Sequence, residues 1–243
     1  MRDLPFKLKS SAEIAPRTFD MLFEGDASDF SAPGQFVEIA VPGFFLRRPI
    51  SICDYSPTSL RLLVRQLGKG TDALVHAPCG TEFKMLTALG NGFSAPSATL
   101  PPLLVGGGIG IAPLYGLAKY IIANTGKAPK TILGFRTKGD AFFVDEFNAL
   151  GCETIVATED GSSGVRGFVT DAMRGTSPSY VYACGPMPML KAVAALAPSG
   201  QFSLEARMGC GFGACVGCTI ETTDGPRRVC KDGPVFRKED VKW

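Results

Sequence analysis

The first part of the chain alternates apolar and polar side chains with the two-residue period of half-buried β-strands. Residues 35–41 alternate in this way and end at a Pro-Gly turn, and residues 60–66 form a further strand-like segment. Connectors rich in Pro, Gly, Asp and Ser occupy residues 25–34 and 54–59. Short strands joined by such turns are typical of a small antiparallel barrel, which we expect here.

From residue 103 the pattern changes to short apolar strands that alternate with helical segments. The alternation predicts a parallel sheet with helices on its faces. Strands are predicted at 103–105, 131–135, 154–157 and 180–183, and helices from near Ala112 and at 142–150, 169–174 and 187–196.

Turn-forming residues also divide the chain into units. Asn-Gly, Ala-Pro-Ser and Pro-Pro between residues 90 and 102 mark a connection between domains. We therefore expect a mixed β and α/β protein with three parts: an antiparallel β-barrel domain at 1–95, a parallel α/β nucleotide-binding domain at 102–200 and a small C-terminal module at 201–243.

Composition narrows the classes of function. The 243 residues are 45% hydrophobic and 20% charged, and the net charge of +2 without a Lys/Arg block gives no reason to expect nucleic-acid binding. The longest apolar stretch, 103–118, contains five glycines and Pro113, which excludes a membrane span. No apolar leader follows Met1, so we expect a cytoplasmic protein. His76 is the one histidine, which favours redox transfer over hydrolysis.

Four cysteines near the C-terminus have the most specific spacing in the chain. Cys210, Cys215, Cys218 and Cys230 form the pattern C-x4-C-x2-C-x11-C. This is the plant-type arrangement of a [2Fe–2S] cluster. Glycines interleave the first three cysteines and permit the tight loop that such a cluster needs. The pattern predicts single-electron transfer.

Other uses of the cysteines are less consistent with the sequence. A structural zinc site is the alternative, but zinc sites usually present short knuckles in pairs, and only one short pair exists here. Disulfides are disfavoured in a reducing cytosol. Cys53, Cys79 and Cys152 are interpreted as ordinary buried small residues.

Two further motifs follow predicted strands of the α/β part. Residues 106–113 read GGGIGIAP, and the glycines with the start of a helix suit the phosphates of a dinucleotide, although Ile111 occupies the position of the third fingerprint glycine. Residues 184–186 read CGP at the end of another strand. Strand carboxyl ends share one edge of the sheet, so Cys184 and Gly185 should face the same pocket as Gly108. A tight strand–helix turn and a buried Cys are the alternatives.

The barrel part carries weaker signals of phosphate binding. Arg48 offers a planar fork for a pyrophosphate, and Ser51 offers a hydroxyl on the following strand. Gly70 and Thr71 offer N–H groups and a hydroxyl at a predicted helix start, although Thr71 could be a helix cap.

The order of these motifs resembles a known family. RPIS at 48–51, GKGT at 68–71, GGGIGIAPL at 106–114 and CGP are similar to the ferredoxin–NADP reductase superfamily, an FAD barrel followed by a nicotinamide-nucleotide domain. With LEARMGC at 204–210 and CKDGPVF at 230–236, the whole chain resembles the electron-transfer subunits of class 1B dihydroorotate dehydrogenases. The superfamily's R-x-Y-S reads Arg48-Pro49-Ile50-Ser51 here, so we expect aliphatic packing of Ile50 against the flavin.

The resemblance implies cofactors and their residues. It implies FAD, a [2Fe–2S] cluster and NAD as co-substrate, and it assigns no catalytic residue to this chain. The flavin site comprises Arg48, Pro49, Ile50, Ser51, Leu63, Val64, Arg65, Gly70 and Thr71. The nicotinamide-nucleotide site comprises Gly108, Gly110, Cys184, Gly185 and Pro186, and the cluster ligands are Cys210, Cys215, Cys218 and Cys230.

The resemblance also implies a partner. Dihydroorotate would be oxidised at FMN in a separate catalytic subunit, and electrons would pass through the cluster and FAD to NAD, in pyrimidine biosynthesis. A heterotetramer of two copies of each subunit is expected. The alternatives are a subunit of a sulfide dehydrogenase, sulfhydrogenase or ferredoxin–NADP transhydrogenase, a reductase that feeds an oxygenase, and a zinc-containing regulatory module. Glu159-Asp160-Gly161 would favour NAD if a carboxylate met the ribose, and a solvated turn is the alternative.

Overall fold

A computed structural model describes residues 1–94 and 102–243. The predicted connection between residues 90 and 102 therefore lies largely outside the described residues. No helix in the described part has the length and apolar character that a membrane crossing requires.

The N-terminal part is a closed antiparallel barrel of six strands. The hydrogen-bonded order around the barrel is β1-β2-β5-β4-β3-β6, and β6 pairs with β1 to close it. The strands are β1 (Asp3–Ala15), β2 (Thr18–Glu24), β3 (Phe36–Ile39), β4 (Arg48–Ser56), β5 (Ser59–Arg65) and β6 (Glu82–Leu89), and α1 (Lys69–Val75) follows β5.

Side-chain alternation on β3 decides which residues fill the barrel. Val37 and Ile39 point into the barrel core, whereas Phe36 points outward and joins the apolar cluster that forms part of the core of the α/β sheet. That cluster also contains Cys230 and Phe236 of the C-terminal part. The outer face of β3 is therefore covered by the cysteine module.

The second part is an α/β layer structure, as the strand–helix alternation predicts. Its central helix, α2 (Ile111–Thr125), ends where Gly126 takes a left-handed φ of 68° and donates its N–H to the carbonyl of Ile122. The strands are β7 (Leu103–Gly107), β8 (Lys130–Phe135), β9 (Thr154–Thr158), β10 (Val165–Arg166), β11 (Val181–Cys184) and β12 (Gly200–Ser203); the helices are α2 (Ile111–Thr125), α3 (Val144–Ala149), α4 (Val169–Met173) and α5 (Met187–Leu196). Short 3-10 turns occupy Gly108–Gly110 and Lys138–Asp140.

The C-terminal part is joined to this sheet. A hairpin of β13 (Thr219–Thr222) and β14 (Gly225–Arg228) precedes α6 (Val229–Asp232), and β15 (Val235–Arg237) leads into a 3-10 turn at Lys238–Asp240. β15 pairs antiparallel with β12, and the seven-stranded order is β10-β9-β8-β7-β11-β12-β15. Because β12 belongs to the sheet, the predicted border at residue 200 cuts through a strand, and the domain borders stay a prediction.

The barrel and the α/β layer pack closely along β4, β5 and α2. A Cβ on Gly116 would lie 2.7 Å from the carbonyl oxygen of Cys53, so the helix and the strand approach at backbone distance. Arg61 forms a bidentate pair with Asp20 and places its guanidinium 4.7 Å from the centre of the Phe143 ring. These contacts fix the crevice between the two parts, and the predicted fold class is confirmed.

Candidate cofactor sites

A cavity of about 600 Å³ lies at the carboxyl ends of the parallel strands. Gly108 after β7 and Gly185 after β11 both line it, as the strand positions predicted. Pro186 and Arg65 also line it, and Arg65 ends the barrel strand β5. The cavity therefore lies where open α/β sheets bind nucleotides, and it reaches the barrel.

Gly110 and Cys184 lie behind the wall of the cavity and do not line it. A Cβ on Gly110 would lie 2.5 Å from the carbonyl carbon of Cys184 and 2.6 Å from the nitrogen of Gly185. The two loops can touch because residue 110 has no side chain. Cys184 is buried, and this desolvation raises the pKa of its thiol to about 12. The Cys184 thiol is therefore a packing group at neutral pH.

Charged side chains at the cavity include residues that the motifs did not indicate. Glu159 lines the cavity, whereas Asp160 accepts hydrogen bonds from the backbone and hydroxyl of Ser162. Arg136 also lines it, directly after β8, and the predicted strand end could have revealed it. Glu205 enters from the segment after β12, and the cavity walls desolvate it and raise its pKa. Glu205 is nevertheless exposed to solvent. No local pattern placed Glu205 there, because β12, whose carboxyl end it follows, was not among the predicted strands.

Three of the four predicted phosphate-binding residues of the barrel, Arg48, Gly70 and Thr71, come together at the start of α1. The Arg48 guanidinium donates to the carbonyls of Leu46 (2.7 Å) and Arg47 (3.2 Å), lies 5.1 Å from the centre of the Phe44 ring and packs directly on Gly70. Any side chain at Gly70 would overlap the guanidinium. Arg48 and Gly70 thus form one cradle, although 22 positions separate them in the sequence.

The Thr71 hydroxyl is occupied within the same loop. It accepts hydrogen bonds from the N–H groups of Leu67 (2.9 Å) and Gly68 (3.2 Å) and donates to the Gly68 carbonyl (3.1 Å). Thr71 is the third helical residue, and Gly68 holds the cap position. Its hydroxyl therefore fixes the shape of the loop that presents Gly70.

The remaining predicted flavin residues lie on β4 and β5. Leu63 and Val64 are buried, so they can offer a ligand their backbone groups only. Ile50 is opposite Val37 in the register and packs against the barrel core. Pro49 and Ser51 face outward with the opposite alternation. Packing of Ile50 against a flavin ring stays a prediction.

The four module cysteines form two pairs of side-chain neighbours. The Cys210 sulfur accepts hydrogen bonds from the N–H groups of Ala214 (3.2 Å) and Cys215 (3.5 Å), and the Cys218 sulfur accepts one from the N–H of Cys230 (3.4 Å). Cys210 also lies close enough to Cys230 for a charge interaction. A binuclear cluster with four cysteine ligands takes two on each iron, so the pairing fits the [2Fe–2S] group.

The backbone of the cysteine loop stabilises thiolate. Desolvation raises the pKa of Cys210, but hydrogen bonds from the N–H groups of Cys215, Phe212 and Ala214 outweigh it and lower the pKa to about 6. Gly211 and Gly213 take left-handed φ values of 76° and 93°, which turn these N–H groups inward. The donor set therefore suits an anionic iron–sulfur group.

The other cysteines lie outside these sites. Cys53 and Cys152 are buried, as interpreted from the sequence, but Cys79 is exposed, so the interpretation was wrong for it. Cys79 follows Pro78 in the turn before β6, where the chain passes over the surface.

Two family models match the chain in the order of these sites. An oxidoreductase NAD-binding domain matches residues 104–195, and the iron–sulfur cluster binding domain of dihydroorotate dehydrogenase B matches residues 205–242. A solved NADH-dependent reduced ferredoxin–NADP oxidoreductase is 33% identical, with a TM-score of 0.89 over 98% of this chain and 90% of that chain. A flavohemoglobin from Malassezia yamatoensis with bound FAD, 19% identical with a TM-score of 0.67 over 80% of this chain and 56% of its own, shares the fold.

Fold, cavity and cysteine loop define an NAD-linked oxidoreductase subunit with FAD, a [2Fe–2S] cluster and NAD, and these sequence predictions are confirmed. Dihydroorotate dehydrogenase B (NAD(+)) electron transfer subunits are similar over nearly the whole length. That of Geobacillus kaustophilus is 43% identical over 94% of each chain, and that of Lysinibacillus sphaericus is 40% identical over 99% of each. The chain belongs to this family.

Proposed function

We propose that this chain carries electrons from an FMN-containing dihydroorotate dehydrogenase catalytic subunit to NAD⁺ in pyrimidine biosynthesis. The observation that carries the proposal is the adjacency of the three candidate sites. Arg65 continues the flavin strand β5 into the nucleotide cavity, and the outer wall of β3 packs against the cysteine module. Flavin, nucleotide and cluster would therefore lie next to one another.

The geometry supports an assignment of residues to each group. When bound, FAD exchanges a hydride with the nicotinamide and single electrons with the cluster, which joins two-electron to one-electron chemistry. The Arg48–Gly70 cradle would bind the pyrophosphate of FAD, with the loop held by Thr71. Gly108, Gly185 and Pro186 would line the nicotinamide-nucleotide site, with Gly110 and Cys184 as packing residues behind it. Cys210, Cys215, Cys218 and Cys230 would ligate the cluster.

Charge and packing on this chain orient the nucleotide. Glu159 follows β9 at the cavity, where a carboxylate can accept hydrogen bonds from ribose hydroxyls, and this supports NAD over NADP. Arg65 and Arg136 place positive charge on the cavity wall for the phosphates. Gly108 has open space where a side chain would stand, so a ligand in the cavity can approach its backbone.

The cysteine loop carries exposed apolar side chains that suit a partner surface. Phe212 is 44% exposed and Val216 is 60% exposed, beside Cys210 and Cys215. The name of the relatives, an electron transfer subunit, implies a partner catalytic subunit. We propose that this partner is the FMN-containing subunit, that it contacts the loop, and that two copies of each chain form a cytoplasmic heterotetramer.

The test is dihydroorotate-dependent NAD⁺ reduction by the co-purified pair under anaerobic conditions. We expect turnover with the pair and none with either chain alone. Cys215→Ser should remove the reduced-cluster EPR signal and the coupled turnover, while FAD stays bound and NADH still reduces an artificial acceptor. NAD⁺ reduction that requires reduced ferredoxin in place of dihydroorotate would support the transhydrogenase alternative.

A further inference from the structure

A buried carboxylate on β3 lies between the flavin strand and the cysteine loop. Glu38 is 1% exposed, and neither of its carboxylate oxygens has a hydrogen-bond partner. Among buried side chains in residues 1–94 and 102–243, it is the one with such unpartnered atoms. A buried acceptor without a donor costs about 1–3 kcal/mol, so its presence calls for a reason beyond stability.

The neighbours of Glu38 belong to both cofactor sites. Glu38 is directly opposite Pro49 in the strand register, so the two side chains share the outer face of the barrel. On the other side, the cysteine loop covers it: a Cβ on Gly211 would lie 2.5 Å from both Cγ and Oε1 of Glu38. Glu38 therefore fills the space between a flavin-lining strand and the residue that follows the ligand Cys210.

The nearby arginines do not neutralise this carboxylate by direct contact. Arg47 is paired with Asp3 and donates to the backbone carbonyl of Glu38 (3.4 Å), and Arg48 donates to the carbonyls of Leu46 and Arg47. Both arginines attract the Glu38 charge from a distance, whereas Cys210 repels it. An electron added to a cluster at Cys210 would feel the same repulsion, because like charges in a poorly solvated site interact strongly.

We propose that Glu38 is a positioning residue of the junction between the two cofactor sites, which seats the cysteine loop on the flavin barrel and makes reduction of the cluster less favourable relative to FAD. The proposal rests on the proposed function in that it needs both groups in this chain. Under this proposal, Glu38 of the barrel influences the direction in which an electron moves between the cluster and FAD.

The electrostatic part is tested with Glu38→Gln, which keeps the shape of the side chain and removes its charge. The midpoint potentials of cluster and flavin are measured by EPR and optical titration at pH 9, since burial raises the pKa of Glu38 to about 7. We expect the equilibrium to shift about tenfold toward reduced cluster, which is 59 mV for a one-electron couple, with the flavin potential less affected. Glu221→Gln, an exposed carboxylate on β13, is the matched control and should shift neither potential.

The seating part is tested with a steric pair. Gly211→Ala should lower cluster content and change the EPR line shape, because the methyl group meets Glu38 at a left-handed backbone position. Adding Glu38→Ala makes room and should restore part of the cluster content relative to Gly211→Ala alone.

The outcomes separate this inference from the proposed function. Unchanged cluster potential in Glu38→Gln, with full FAD and cluster content, overturns the electrostatic role and leaves the proposed function intact. Lower FAD affinity in Glu38→Gln without a change in cluster potential would make Glu38 a flavin contact and also overturn the proposal. Absence of a [2Fe–2S] signal in the wild-type protein would instead contradict the proposed function.

Discussion

At the scale of single residues, environment decides which of the notable side chains have chemistry available. Cys184 lies in a motif at the nucleotide cavity, yet burial leaves it with a pKa of about 12, whereas Cys210 with backbone N–H donors has a pKa of about 6. The same side chain is therefore a packing group in one place and a readily ionised thiol in the other.

This difference predicts the pattern of cysteine alkylation. At pH 8 in the native holoprotein, iodoacetamide should label Cys79, which is exposed, and leave Cys53, Cys152 and Cys184 unlabelled, because burial raises their thiol pKa values far above the working pH. Peptide mass spectrometry measures the labelling, with the denatured protein as the control in which all react. Rapid labelling of Cys184 in the native protein would show that its loop opens to solvent.

Gly110 gives a second prediction at this scale. Gly110→Ala should weaken NAD(H) binding at least tenfold, because the methyl group would lie 2.5 Å from the Cys184 backbone and push the two cavity loops apart. Its φ of −62° suits alanine, so the effect is steric and not conformational. Gly175→Ala is the control, since the nearest atom lies 3.8 Å from the new Cβ. Affinity is measured by titration of the flavin absorbance, and an unchanged Kd would mean that the loops adapt without cost.

At the scale of elements, loops at the ends of strands build the sites and the strands hold them apart at fixed distances. The Arg48–Gly70 cradle joins the start of β4 to the start of α1, and the nucleotide cavity joins the ends of the parallel strands β7, β8, β9, β10 and β11. Because each loop is short and anchored at both ends, the sites are largely preformed.

The double variant Arg48→Ala/Thr71→Ala tests the cradle. FAD affinity should fall at least tenfold, because charge-assisted hydrogen bonds from Arg48 are worth about 1.5–3 kcal/mol and the hydroxyl that shapes the loop is lost. Flavin content per chain after dialysis measures the effect. Thr71→Ser keeps the hydroxyl and should retain FAD, and a double variant with full flavin occupancy would place the FAD site elsewhere.

At the scale of the whole molecule, the C-terminal module is held between the barrel and the sheet. β15 extends the parallel sheet, while Phe36 of the barrel belongs to the same apolar cluster as Cys230. The module therefore presents one side to the flavin barrel and leaves Phe212 and Val216 exposed on the other.

Phe212→Asp tests whether this exposed side meets the partner. A charge at this position should weaken association with the catalytic subunit at least tenfold, while the cluster and FAD spectra stay unchanged, because Phe212 is not a ligand. Analytical ultracentrifugation of the mixed subunits measures the affinity. Leu196→Asp on α5, a similarly exposed apolar residue, is the control. Equal affinity and turnover in Phe212→Asp would exclude the loop as the contact.

The amino-acid sequence by itself determined the fold class, the cofactors and the family. These depend on local patterns: alternation of period two, strand–helix alternation, and a cysteine spacing that few structures can use. The sequence also predicted where the strands of the α/β part end. From those strand ends it predicted that Gly108 and Gly185 line the same cavity.

Tertiary structure alone decided which distant residues meet. Glu38 reads as an ordinary strand residue, and its burial under Gly211 depends on how the C-terminal module folds back over the barrel. Glu205 reaches the nucleotide cavity because it follows β12, a parallel strand that the sequence patterns did not predict, and Arg48 meets Gly70 because β4 and β5 pair as a hairpin. Local sequence sets the conformation of each segment, whereas contacts between segments depend on long-range packing that no window of sequence contains.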